Sequence, residues 1–230
     1  MNKENILRDK NNKLVYIKDD LVGFTGHQTN NQHPIFYLGK GQDNKEYCDK
    51  LYNLTLVSGC TGSGMSLYLE TLVLDLATRY SPDELKFILL DPGGFQYPHF
   101  AKLPHLISPI MTDMADSKYV FTWLVSELQR RYKLLEENKV RYTEQYNEKN
   151  PENKLPHIVI ISYQFAEALM TNHESIEKSV IRLAQLNKSA GIYPILVSSR
   201  PSTNIFTGLI KANTSAFVSF SLTNEHDSQE

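Results

Sequence analysis

The sequence predicts an α/β domain with a mostly parallel, doubly wound β-sheet flanked by helices. Three observations support this prediction. Short apolar runs of strand length alternate with stretches of helical length. A glycine-rich turn joins one strand to the helix after it, and an acidic residue ends the next strand along the chain. Turns of this kind at the ends of buried parallel strands are where open α/β folds bind ligands.

Composition indicates an ordinary globular chain. At 230 residues, 41% hydrophobic and 22% charged, it can form one large domain or a domain with a small extra lobe. The net charge of −2 gives no support for a nucleic-acid-binding surface, although a ring could still line a channel with a few lysines. Cys48 and Cys60 lie far apart, which fits a reducing compartment. The sequence contains neither a membrane span nor a signal peptide, so we expect a cytoplasmic protein.

The first part of the chain shows the weakest pattern of apolar residues. Residues 1–34 are polar and predict a flexible start with edge strands near 14–17 and 21–24. The domain itself is expected over residues 35–230, beginning with the strand-like run 35–41.

A phosphate-binding loop is the central motif. An apolar strand at 54–57 precedes it, a helix at 67–77 follows it, and Gly59, Gly64 and Ser66 meet the spacing G-x-x-x-x-G-x-S. The predicted nucleotide-binding residues of the loop are Gly59, Cys60, Thr61, Gly62, Ser63, Gly64, Met65 and Ser66. The glycines allow backbone N–H groups to point inward, and the helix N-terminus adds positive potential. Met65 stands where the motif has lysine, so the loop lacks the charge that would reach the β- and γ-phosphates.

The next strand, 85–90, ends at Asp91, which is followed by a Pro-Gly-Gly turn. Asp91 therefore lies at the ligand-binding edge of the predicted sheet and is a candidate for nucleotide binding. On these residues alone, a turn-forming or helix-capping role is the more common explanation. A long amphipathic helix is predicted at 116–138, with its apolar positions facing inward and Arg130 and Arg131 facing outward.

The remaining elements continue the alternation of helices and strands. They are helix 140–146, polar loop 147–154, strand 158–161, helix 175–188, strand 192–199 and strand 217–222. Pro194, near the start of its strand, is of the kind found at sheet edges.

A series of short motifs runs from Leu38 to the C-terminal end. They include Gly59–Ser66, Tyr80–Lys86, Asp91-Pro92, Leu103–Leu106, Arg130-Arg131-Tyr132, Leu183-Ala184-Gln185, Arg200-Pro201-Ser202 and Thr207–Asn213. The last two are the most specific, and together the motifs resemble the motor domain of FtsK/SpoIIIE-type DNA translocases. The resemblance implies a RecA-like P-loop NTPase fold, ATP and Mg²⁺ as ligands, Ser66 as a contact to Mg²⁺, a hexameric ring, and double-stranded DNA in its pore.

Several positions depart from the family pattern. Met65 replaces the lysine, Tyr163 and Gln164 align with the Walker B Asp-Glu pair, and Ser199 stands where glutamine is usual. Gln96 replaces an acidic residue. By this comparison none of the catalytic positions is intact.

These departures affect catalysis more than binding. Phosphoryl transfer depends on positioning and charge neutralisation, so removing one transition-state contact costs about 3–4 kcal/mol, or about 10²–10³ in rate. Tyr163 cannot hold a Mg²⁺-bound water as aspartate does, and Gln164 cannot accept a proton. Ser66 and the backbone cradle remain. We therefore expect weak nucleotide binding and hydrolysis near zero.

Two further residues and three functions follow from the resemblance. Arg130 and Arg131 are candidates for an arginine finger, with a plain surface pair as the alternative.

The chain is either a DNA translocase motor domain with impaired hydrolysis, or a non-catalytic ATPase-like ring or interaction subunit in DNA transfer or protein secretion. A third hypothesis is an altered version of an active motor. The family pattern continues beyond Asp227-Ser228, so we expect the domain to be truncated at its C-terminal end.

Overall fold

The computed structural model describes residues 7–8, 14–15, 34–40, 46–186, 189–200 and 202–222. The chain divides into two compact units, Met1–Asn31 and Gln32–Glu230. In the first unit, strand β1 (Leu7–Arg8) pairs antiparallel with β2 (Leu14–Val15). The predictions made for 21–24, 187–188, Pro201 and Asp227-Ser228 lie outside the described residues.

The second unit is built on a five-stranded parallel sheet. Its strands are β5 (Thr55–Ser58), β6 (Leu85–Leu90), β7 (His157–Ser162), β8 (Ile192–Ser198) and β9 (Ala216–Ser219). Their order in the sheet is β6-β7-β8-β5-β9, and every neighbouring pair is parallel. The predicted parallel α/β sheet is therefore confirmed.

A separate antiparallel hairpin precedes this sheet. It consists of β3 (Ile35–Lys40) and β4 (Glu46–Lys50), with a register shift between Tyr37 and Gly39. The backbone N–H of Tyr37 donates to Asp75 Oδ2 at 2.8 Å, and that of Ile35 donates to Tyr80 Oη at 2.9 Å. These bonds attach the hairpin to the helix that follows β5.

Six helices accompany the sheet in the described part of the second unit. They are α1 (Met65–Arg79), α2 (Ser117–Glu137), α3 (Thr143–Lys149), α4 (Phe165–Thr171), α5 (His173–Leu186) and α6 (Gly208–Ala212). One buried cluster joins α2, through Phe121 and Leu124, to α5, through Val180 and Leu183. None of the described helices is long and apolar enough to cross a membrane.

Two predicted helices have different bounds in the structure. The helix predicted at 140–146 begins only at Thr143 and continues through Lys149. The reason is that the N–H of Val140 donates to Leu135 O and Lys139 has φ of 53°, so this segment closes α2. The helix predicted from 175 begins at His173, and the additional helix α4 was not predicted.

Pro194 lies in the centre of the sheet rather than at an edge. Its strand, β8, pairs with β7 on one side and β5 on the other. The pairing with β5 begins one residue after Pro194, where Ile195 lies opposite Thr55. Proline is therefore accommodated in a central strand because it precedes the residues paired with β5.

Candidate functional site

The parallel sheet brings the predicted site residues to one edge. The glycine-rich loop follows β5, Asp91 follows β6, Tyr163 follows β7, and Ser199 follows β8. Since the carboxyl ends of parallel strands meet at the same edge of a sheet, residues far apart in sequence become neighbours. The strand order separates β5 from β7 by β8 alone.

The glycine-rich loop has the conformation of an anion cradle. Gly62 and Gly64 have φ values of 83° and 93°, in the region that glycine adopts without strain. No acidic residue lies in the first turn of α1. Within the described part of the chain, the N–H groups of Gly62, Gly64, Met65 and Ser66 have no hydrogen-bond acceptor. Free N–H groups at a helix N-terminus are favourable partners for a phosphate.

The segment after β9 supports the loop from one side. The N–H of Phe220 donates to Ser58 O at 2.8 Å, and the N–H of Cys60 donates to Ser221 O at 2.9 Å. Gly59 lies against this segment, and a Cβ added there would be 2.7 Å from both Phe220 Cβ and Ser63 Oγ. The close approach therefore requires glycine at position 59. The sequence predicted a strand over 217–222 but gave no signal for this contact.

Met65 is buried beside the loop. It is the first residue of α1, and its exposed fraction is 6%. Its Cβ would be 3.4 Å from a Cβ placed on Gly59. Residues 59–66 contain no lysine or arginine. The loop itself therefore offers a phosphate only its backbone and hydroxyl groups.

Tyr163, which aligns with the Walker B aspartate, lies beside Ser66. The two hydroxyl oxygens are 3.3 Å apart and share a hydrogen bond. Tyr163 is held there by its backbone N–H, which donates to Leu90 O at 3.0 Å, and by an edge-to-face contact with Tyr97 at 6.1 Å. A phenol thus occupies the place next to Ser66.

Gln164 does not join this contact. It is exposed, with φ of 49° and ψ of 55°, and it precedes the first residue of α4. The two residues aligned with the Walker B pair therefore separate: Tyr163 contacts Ser66, whereas Gln164 faces outward. Ser199 is also exposed at the end of β8.

Asp91 is fully buried under the site. Its Oδ2 accepts hydrogen bonds from the N–H groups of Gln96 and Tyr97, both at 2.9 Å, and its carbonyl accepts from Gly94 N–H. These bonds are the turn-forming role considered from the sequence. Its Oδ1 is buried and has no hydrogen-bond partner among the described residues. A direct contact between Asp91 and a nucleotide stays a prediction.

Gln96 connects the Asp91 turn to α1. Its Nε2 donates to Ser66 O at 3.2 Å and to Glu70 Oε1 at 3.1 Å. An acidic residue at position 96 would place two carboxylates against each other, so the amide fits the presence of Glu70. Sequence reasoning identified Gln96 as a departure but missed Glu70. The sequence could have indicated Glu70, because it lies four residues after Ser66, about one turn along the predicted helix.

Tyr97 adds a second buried polar group to this part of the site. Burial raises the pKa of Tyr97 well above its usual value, and nearby Asp91 raises it further. Tyr97 is therefore a neutral phenol at physiological pH. Its Oη has no hydrogen-bond partner among the described residues.

The two arginine-finger candidates have different environments. Arg130 is exposed and donates to Glu127 through Nε at 2.7 Å. Arg131 was predicted to face outward, and this is wrong: its exposed fraction is 1%. The reason is that Arg131 donates to Glu127 at 2.7 Å and to Ala190 O at 2.8 Å, both inside its own subunit. The arginine-finger role stays a prediction for Arg130.

A cavity of about 720 Å³ lies away from the glycine-rich loop, near the C-terminal half of α2. It is lined in part by Tyr132, Val140 and Leu186. It includes none of the loop residues.

Among the described residues, no three His, Cys, Asp or Glu side chains form a group able to hold a metal ion.

Comparison with known proteins gives relatives over most of the chain. The model of the FtsK/SpoIIIE family matches residues 23–203. DNA translocase FtsK of Caldanaerobacter subterraneus subsp. tengcongensis is 37% identical over 174 residues, 76% of this chain and 24% of the relative. DNA translocase FtsK of Clostridium tetani is 36% identical over 222 residues, 94% of this chain and 30% of the relative. The chain thus spans less than a third of either relative's length.

Solved structures share the fold at lower identity. The pCW3 conjugation coupling protein TcpA, in a monomer form with ATPgS, has a TM-score of 0.73 at 21% identity, over 87% of this chain and 58% of the other. The cytoplasmic domain of the type VII secretion ATPase EccC of Thermomonospora curvata also has a TM-score of 0.73 at 21% identity, over 88% and 25%. These similarities show the P-loop ATPase fold.

Proposed function

This chain belongs to the FtsK/SpoIIIE family, and we propose that it is a DNA translocase motor domain that binds a nucleotide but hydrolyses ATP poorly or not at all. The loop over residues 59–66 would hold the nucleotide. Double-stranded DNA is the proposed partner because the curated relatives are DNA translocases. Assembly into a ring, with six subunits by family resemblance, is part of the same proposal.

The observation that carries the proposal is the contact between Tyr163 and Ser66. In P-loop NTPases the Ser/Thr of the loop and a Walker B aspartate hold Mg²⁺. Here the Ser66 hydroxyl is hydrogen-bonded to a phenol at 3.3 Å, and no carboxylate replaces the aspartate at that position. The residues present therefore fit the phosphates of a nucleotide but do not fit Mg²⁺.

The absence of the P-loop lysine also lowers the expected rate of ATP hydrolysis. Met65 fills a buried position with an apolar side chain and places no charge near a γ-phosphate. Because the transferred phosphoryl group carries developing negative charge, each missing contact raises the barrier by about 3–4 kcal/mol. Loss of both the lysine contact and the metal site supports hydrolysis near zero.

A DNA-stimulated ATPase assay tests the proposal. We expect no turnover above background for the unmodified chain, because both charged contacts are missing. Turnover at the rate of an active translocase would contradict the proposal. The comparison is the triple variant Met65→Lys, Tyr163→Asp, Gln164→Glu, with circular dichroism showing that each protein is folded.

The triple variant also separates the remaining hypotheses. Activity in the variant alone would favour an altered motor whose scaffold is otherwise intact. Inactivity of both proteins would favour a non-catalytic ring or interaction subunit. The similarity to secretion ATPases shows the fold only, since the identity is 21%. It therefore does not favour protein over DNA as the cargo.

A further inference from the structure

We propose that the loop over residues 59–66 takes a nucleoside diphosphate at least as readily as a triphosphate, and that Mg²⁺ does not strengthen this binding. The inference rests on the proposed function, because it requires that the loop bind a nucleotide. It goes further by naming the ligand class and the metal dependence of the site.

The chain can still contact the phosphates that a P-loop holds through its backbone. In a P-loop the backbone N–H groups cradle the α- and β-phosphates, whereas the lysine reaches the β- and γ-phosphates. The N–H groups of Gly62, Gly64 and Met65 have no acceptor within the described residues, so the cradle is open. Met65 supplies no substitute for the lysine. The contacts that remain are those a diphosphate already uses.

The side-chain oxygens near Ser66 are poorly placed to hold a metal ion. Ser66 Oγ is engaged by Tyr163 Oη, and Glu70 Oε1 accepts from Gln96 Nε2 at 3.1 Å. Asp91 Oδ2 accepts two backbone N–H bonds, and its Oδ1 is buried out of solvent contact. Mg²⁺ requires near-octahedral oxygen ligands at 2.0–2.1 Å and gives up its waters reluctantly. Apart from Asp91 Oδ1, each of these oxygens already takes part in a hydrogen bond within the chain, and Asp91 Oδ1 is shielded from solvent.

The charge around Ser66 also disfavours a γ-phosphate. Glu70 and Asp91 both lie near Ser66, because Gln96 donates to Asp91 Oδ2 through its N–H and to Ser66 O and Glu70 Oε1 through Nε2. A γ-phosphate close to Ser66 would add negative charge near two acidic residues without the lysine or the metal that normally neutralise it. A diphosphate avoids this repulsion. The preference therefore follows from the same substitutions that remove catalysis.

The test is isothermal titration calorimetry of the full chain with ADP and with ATP, each in excess MgCl₂ and in EDTA. We expect ADP to bind at least as tightly as ATP, and MgCl₂ to change either affinity by less than about threefold, a difference of less than about 0.7 kcal/mol. ATP binding tenfold tighter than ADP binding in MgCl₂ would overturn this inference and leave nucleotide binding intact. Binding of neither nucleotide would overturn both this inference and the proposed function.

Two variants test whether the residue at position 163 determines how ATP binding depends on Mg²⁺. Tyr163→Asp frees Ser66 Oγ and adds a carboxylate, so we expect ATP affinity to rise at least fivefold when MgCl₂ replaces EDTA. Tyr163→Phe is the matched control: it frees Ser66 Oγ and keeps the ring contact with Tyr97, yet adds no metal ligand. We expect its ATP affinity to stay independent of Mg²⁺. A Mg²⁺ response in the unmodified chain equal to that of Tyr163→Asp would contradict the inference.

Discussion

Arg130 and Arg131 are adjacent in sequence, yet their side chains have opposite environments. Both donate to Glu127 at 2.7 Å, but the exposed fraction of the side chain is 53% for Arg130 and 1% for Arg131. Arg131 also donates to Ala190 O at 2.8 Å, which connects α2 to the turn before β8. The stabilising role of this arginine pair therefore belongs mainly to Arg131.

Replacing Arg131 should destabilise the fold far more than replacing Arg130. Arg131→Ala would leave the buried carbonyl of Ala190 without this donor and the partly buried Glu127 carboxylate with only the exposed Arg130, which costs about 3–5 kcal/mol of unfolding free energy. Arg130→Ala removes an exposed ion pair worth about 0–1 kcal/mol. Urea denaturation of both variants measures the difference. Equal losses would show that the buried bonds of Arg131 add nothing to stability.

The ionisation of Glu127 gives stability a defined pH dependence. Burial raises the pKa of Glu127, but hydrogen bonds from Arg130 and Arg131 outweigh this effect and the pKa falls below 4.5, the value of an unperturbed glutamate. A carboxyl group with a lowered pKa in the folded state stabilises the fold above its unfolded pKa. This contribution is lost as the pH falls from about 4.5 through the folded pKa.

Urea denaturation between pH 6 and pH 3 tests this dependence. We expect the unfolding free energy to decrease over the lower part of the range, and Glu127→Gln to show a smaller decrease. Glu174 is the matched comparison, because its ion pair with Lys178 is exposed and contributes little. An identical pH profile for Glu127→Gln and the unmodified chain would contradict the assignment to Glu127.

At the scale of elements, the glycine-rich loop depends on a segment distant in sequence. The residues after β9 hold both ends of the turn that begins the loop, through Phe220 N–H to Ser58 O and Cys60 N–H to Ser221 O. The rings of Phe220 and Tyr68 lie 5.5 Å apart, which also places α1 against this segment. The shape of the loop is therefore set by β9 as well as by its own glycines.

Gly59→Ala should distort the loop, because the added methyl group would lie 2.7 Å from Phe220 Cβ. Overpacking of this kind costs roughly 1–3 kcal/mol of unfolding free energy. Gly208→Ala is the matched control, since a Cβ there meets no atom within 4 Å and Gly208 begins helix α6. Thermal denaturation compares the two variants. A melting temperature unchanged by Gly59→Ala would show that the segment after β9 moves away easily.

For the whole molecule, the order of the strands bears on the proposed nucleotide binding, and the net charge bears on the proposed DNA binding. The sheet order β6-β7-β8-β5-β9 brings the residues of the proposed nucleotide site together inside one chain. The net charge of −2 gives a single chain little general attraction for DNA. The proposed DNA binding would therefore depend on a few local cations, and the proposed ring would multiply them.

Binding of double-stranded DNA by the isolated chain should depend only moderately on salt. Three phosphate contacts would give a slope of about −2.7 for log K against log salt concentration, so a fourfold rise in salt lowers affinity about 40-fold. Fluorescence anisotropy between 50 and 200 mM salt measures this slope. A slope of −6 or steeper would mean that one chain presents a basic surface despite its net charge.

The sequence alone determined those features that depend on residues close together in the chain. Apolar periodicity located the buried strands and most helices, because backbone hydrogen bonding and one-sided burial impose a local repeat. The spacing of Gly59, Gly64 and Ser66 predicted the loop, since left-handed φ values and a free helix N-terminus are local requirements.

The tertiary structure alone decided which side chains meet. Ser66 and Tyr163 are 97 residues apart and touch only because the strand order separates β5 from β7 by a single strand. The bonds from Gln96 to Glu70 and from Arg131 to Ala190 likewise join different elements. No local pattern encodes such contacts, because helical periodicity fixes the face on which a side chain lies but not the partner packed against it.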